Sequence, residues 1–250
     1  MKFALLPILE KMQNLYQLPL NRGRFEQYLF MLQGKQKNDM ILPISGYNPM
    51  AKEHVLLKLN ELQALDAEQI IQGELDKINT HLNSKEDRTI QVVINLADDI
   101  GGAWTERFTT DFSSKFEIQA FIKRNFCAPY FWASETYTKE LIIERIREYV
   151  YRTLHVVHKG KPTTLRDHVE QEIYVQFRSN NTSQISEDNY SEIEKFYLQN
   201  ADSEDYNLIF NFFYGDEASE SLAYKTYGIG KDAGWAYVKF IAQQKNRAHV

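Results

Sequence analysis

Apolar positions along roughly the first 86 residues recur at helical spacing. Leu5, Ile8, Leu9, Met12, Leu15 and Tyr16 predict an amphipathic first helix; Glu10 and Lys11 follow the apolar start too soon for a signal peptide. Phe25, Tyr28, Leu29 and Leu32 mark a second stripe that Gly34 closes. An extended segment reaches Gly46, and Asn48 followed by Pro49 predicts the start of a helix running to Leu65. Asp66 and Gln69 stand as a capping box before Ile70, Ile71, Leu75 and Ile78.

After the polar residues 83–88 the period changes. Ile90, Val92, Ile94 and Leu96 alternate, which predicts a strand with one buried face. Phe108 and Phe112 fall on one side of a second extended run, so residues 89–112 read as a hairpin closed around Gly101 and Gly102. Residues 125–132 are aromatic-rich, and Pro129 assigns them to an edge strand or a bulge. A long helix follows from Tyr137 to His158 on the stripe Ile142, Ile146, Val150 and Leu154. Thr164 and Asp167 form a capping box for the next helix, residues 179–189 are loop by composition, and short aromatic helices complete the chain. The expectation is one α+β domain over residues 1–250, predominantly helical, with a helical part to about residue 86 and a small antiparallel sheet in the mixed part beyond it.

Composition narrows the function classes. With 43% hydrophobic and 25% charged residues, the 250-residue chain has an ordinary globular make-up. A net charge of -5 supplies no basic field for nucleic acid, and no apolar run is long enough to span a membrane, which predicts a cytoplasmic protein. Ten acids against Lys195 between Glu187 and Glu220 mark an acidic, aromatic C-terminal third. That third, residues 187–237, reads either as a solvated surface or as a docking face for a protein partner.

Asp98 and Asp99, with Arg107 nearby, are the first candidates for chemistry. Neighbouring carboxylates hold a divalent cation or split into acid and base, and an arginine grips a substrate anion in a bidentate fork. The competing reading is local, since aspartates before glycine also serve turns through their own hydrogen bonds. His155, His158, His168 and Glu172 form an alternative metal set if their two helices are neighbours. Cys127, the one cysteine, stands in an apolar setting that fits a core residue better than a nucleophile. Residues 228–234 carry glycines and Lys231 but match neither phosphate-binding spacing, so they read as a turn into the last helix. The functional expectation is a small-molecule ligand-binding protein or metal-assisted hydrolase or transferase near Asp98 and Arg107; the alternative is a non-catalytic interaction module.

Overall fold

Residues 92–97 are all fully buried, including the polar Asn95. A strand covered on both faces reads as a continuous apolar run, the pattern of parallel rather than antiparallel sheets. The computed structural model, which describes residues 1–36, 39–82, 87–100, 104–179 and 187–248, carries this through. Strands β1 (Lys2–Leu5), β2 (Thr89–Val92) and β4 (Phe126–Cys127) form a parallel sheet in the order β1-β2-β4. Strands β3 (Asn95–Ala97) and β5 (Tyr130–Trp132) form a second parallel pair. The antiparallel hairpin over 89–112 is therefore corrected: the chain returns to the sheet through helices α5 (Arg107–Phe116) and α6 (Gln119–Lys123), the crossover that parallel strands require. Gly101 and Gly102, the expected turn residues, lie outside the described residues, as do 83–86 of the polar turn.

Pro129 explains why two short pairs replace one long strand over 125–132. Val93 N–H donates to the Cys127 carbonyl at 2.9 Å and Asn95 N–H to the Pro129 carbonyl at 2.9 Å, so the register continues across the break. Pro129 falls where the opposite strand should donate back, and it has no N–H. Leu5, expected on the stripe of the first helix, is also corrected: it ends strand β1. Phe3 N–H donates to Asn79 Oδ1 at 2.9 Å and Asn79 Nδ2 to the Phe3 carbonyl at 2.8 Å, closing the outer edge of β1.

Helices α1 (Leu9–Gln17), α2 (Arg22–Gln33), α3 (Glu53–Ala64) and α4 (Ala67–Thr80) connect β1 to β2. The start of α3 lies later than Asn48 and Pro49 suggest. Asn48 Oδ1 accepts instead from Met50 N–H at 2.9 Å, a side-chain turn around the proline. Beyond β5 come α7 (Lys139–Lys159), α8 (Leu165–Ser179), α9 (Glu187–Asn200), α10 (Tyr206–Ser221) and α11 (Ala233–Ala248). The described residues are predominantly helical with a small sheet, as expected.

The chain forms two compact units, Met1–Ser114 with Ile118–Val150, and Lys115–Glu117 with Tyr151–Val250. The first holds both sheets. In the second, α8, α9 and α10 pack on α11. Phe213 meets Trp235 at 4.7 Å, and Gly215 turns α10 at φ +81°, where a Cβ would stand 2.7 Å from the Gly230 carbonyl oxygen.

Candidate functional site

The carboxyl ends of parallel strands are the usual place for ligands, because side chains from the following loops converge there. In the first unit, Asp98 follows β3 directly. Segment 43–48 is docked onto the same region by Asn95, whose Nδ2 donates to the Pro43 carbonyl and whose Oδ1 accepts from Gly46 N–H at 3.0 Å. Tyr47 donates its hydroxyl to the Ile94 carbonyl at 3.1 Å. Gly46 permits the close approach, since a Cβ there would meet Asn95 Oδ1 and Tyr130 Cε1 at 2.9 Å each. Asn48 is thereby carried to Asp98.

Asp98 is 1% exposed and accepts from His54 Nε2 at 2.8 Å, from Asn48 Nδ2 at 3.0 Å and from Ile100 N–H at 3.3 Å. A carboxylate that accepts from Nε2 sets the imidazole tautomer, leaving the Nδ1 lone pair free to act. His54, in the first turn of α3, lines a cavity of about 550 Å³ together with Tyr16, Leu18, Leu20, Arg24 and Lys52. The elements around it are the end of α1, the start of α2 and the start of α3.

Arg24 is 5% exposed on that wall. Its Nη2 donates to the Ala51 carbonyl at 2.8 Å and its guanidinium lies 4.5 Å from the centroid of the Tyr16 ring, while Nε has no hydrogen-bond partner among the described residues. Burial lowers its pKa, the sign of a cation taken from water without a matching carboxylate. Tyr16 does not provide one: burial pushes its phenol far above the usual value despite Arg24, and its hydroxyl donates to the Asn48 carbonyl at 2.7 Å.

The neighbouring aspartate has a different role. Asp99 accepts from Arg107 Nη1 at 2.8 Å, from Ser134 Oγ at 2.6 Å and from Ser134 N–H at 2.9 Å. Arg107 stacks 3.9 Å from the Trp132 ring centroid and reaches Glu135, which Arg145 holds at 2.6 and 3.0 Å. Asp98 and Asp99 thus serve separate sets of partners, Asp98 with His54 and Asp99 with Arg107 in a network that ties β3, α5, β5 and α7 together.

The second unit distributes the histidine candidates in the same uneven way. Glu172 is spent on Arg152, both fully buried, with two contacts of 2.7 Å. His168 faces the Thr164 carbonyl through Nδ1 at 2.7 Å, and burial lowers its pKa. His155 and His158 line a separate cavity of about 520 Å³ with Tyr174 and Lys245. Among the described residues, no group of three or more His, Cys, Asp or Glu side chains is gathered to hold a metal ion. Cys127 is 2% exposed in β4.

In the acidic C-terminal third, Asp216 accepts from the amides of Tyr227, Gly228 and Ile229 at 3.1 to 3.3 Å, which orders the glycine-containing turn before α11. Asp205 caps α10 by accepting from Asn207 N–H at 2.9 Å. No helix among the described residues is long and apolar enough to cross a membrane.

His54, Asn48 and Arg24 carry no sequence signal of function. Arg24 is legible only as a charge one turn before Tyr28, and the two form the buried face of α2 that the leucine stripe does not. No protein-family model, curated protein or solved structure matches the chain.

Proposed function

We propose that this protein binds a small molecule in the cavity beside His54 and acts on it by acid–base chemistry, as a hydrolase or transferase. The observation that carries the reading is the 2.8 Å bond from His54 Nε2 to the buried Asp98, on the wall of a cavity of about 550 Å³. A carboxylate behind an imidazole orients the ring and stabilises the imidazolium formed when Nδ1 takes a proton. The proton donor is a water or hydroxyl whose oxygen attacks an electrophilic carbon or phosphorus, and the leaving group then receives the proton back from Nδ1. Asp98 supports this reading as the positioning residue, and Arg107 as part of the frame around it.

Soaking crystals with a library of small polar fragments tests the site whatever its substrate. Fragments are expected to collect in this cavity with a polar atom on His54 Nδ1. In parallel, turnover of chromogenic esters and phosphoesters should fall roughly 10²- to 10⁴-fold in His54→Gln. Fragments that leave the cavity empty while filling others, with turnover indifferent to His54, overturn the proposal.

A further inference from the structure

Buried arginines are retained where something completes them, because an ionised group taken from water needs a countercharge or a full set of acceptors. Arg24 has one carbonyl and one aromatic face, and its Nε is bonded to nothing among the described residues. Its side chain lines the cavity. Among the described lining residues, Lys52 and Glu53 bring one charge of each sign, which leaves Arg24 as the remaining charged side chain on the wall. Asp98 is not among the side chains that line the cavity and stands behind His54 and Asn48. Beside the charge the wall is apolar: Leu18 and Leu20 remain 41% and 49% exposed, with Leu56 on the same surface.

We infer that the ligand of this cavity is an organic oxyanion, a carboxylate or phosphate on an apolar body, whose acid group is held by the Arg24 guanidinium while its body lies along Leu18, Leu20 and Leu56. The inference rests on the reading of this cavity as a small-molecule site. An oxyanion supplies the countercharge that the guanidinium lacks, in the planar geometry that suits arginine better than lysine. Arg24 thus has the binding role in the cavity and His54 the chemical one.

Titration calorimetry with hexanoate, hexyl phosphate and the neutral hexanamide tests this on the full chain. At least one anion is expected to bind the wild type roughly tenfold or more tighter than the amide. The tighter of the two anions identifies the acid group. Arg24→Gln should weaken that anion roughly 10- to 100-fold, to the level of the amide. Arg24→Lys, which keeps the charge without the fork, should fall between the two and keeps the test decisive if the glutamine variant does not fold. Equal binding of amide and anions, or anion binding indifferent to Arg24, overturns the inference and leaves the small-molecule reading standing. Failure of all three to bind at about 10 mM also overturns it, while the fragment soak decides the wider reading separately.

Discussion

Arg24 in the first unit and Arg152 in the second are almost equally hidden from water, at 5% and 0% exposure. They differ in what meets them. Arg152 is held by both oxygens of Glu172 at 2.7 Å, a bidentate pair that supplies its countercharge from inside the fold. Arg24 has a carbonyl, a ring and a cavity. A buried charge with its partner built in belongs to the architecture, whereas for one that lines a cavity we propose that a ligand supplies the partner.

The largest expected effect breaks the completed pair. Glu172→Gln leaves the Arg152 charge buried with its countercharge gone and should cost about 3–5 kcal/mol in urea denaturation. Replacing both residues by Met and Leu should recover most of that loss, because well-packed apolar side chains commonly match a buried ion pair. A single variant as stable as the wild type would show that water reaches Arg152 and remove one side of the contrast.

A milder internally satisfied charge is Asp167. Burial raises its pKa, but the amides and hydroxyls of Thr164 and Thr163 outweigh this and hold the carboxyl at about 2. A folded-state pKa below the unfolded value, which is about 3.9, means a stabilisation fully present above pH 4 to 5 and lost as pH falls towards 2. Asp167→Ala should therefore cost about 1 kcal/mol at neutral pH, with the difference from wild type closing over that acid range. A pH-independent difference would assign the loss to packing.

The smallest effect is expected at Arg24. Arg24→Met forfeits one hydrogen bond but also removes an uncompensated cation, so stability in the absence of ligand should change by less than about 1 kcal/mol in either direction. A loss as large as that of Glu172→Gln would mean that Arg24 is already balanced by the fold, and the comparison would fail.

What the sequence reveals follows the range of the interactions. The Thr164–Asp167 box forms as expected, with Asp167 N–H donating to Thr164 Oγ1 at 3.2 Å and Thr164 N–H to Asp167 Oδ2 at 3.0 Å, whereas the expected Asp66–Gln69 box does not: Asp66 stands at φ 53° and its side chain makes no cap bond. Phe108 and Phe112 mislead for a geometrical reason: residues four apart share a face in both a strand and a helix, and here they belong to α5. Asp98 is recognisable as a candidate, but His54 stands 44 residues away, and no local pattern joins them. Arg24 escapes because a search for apolar stripes passes over a charged residue on the buried face.

The pairing of β1 with β2 also sets an order of events during synthesis. Lys2 finds its partner only when Thr89 has been made. At ordinary elongation rates that interval is roughly 4–17 s, and entropy of so long a closure slows the pairing further. Helices α1 to α4 have the time to form first, while the β2-facing backbone groups of Lys2 and Leu6 still lack their partners. Asn79, which satisfies both backbone groups of Phe3, emerges before β2 does. The nascent chain thus has a splint on one side of the strand: the side chain that seals the outer edge of β1 is made before the strand that pairs with its inner edge.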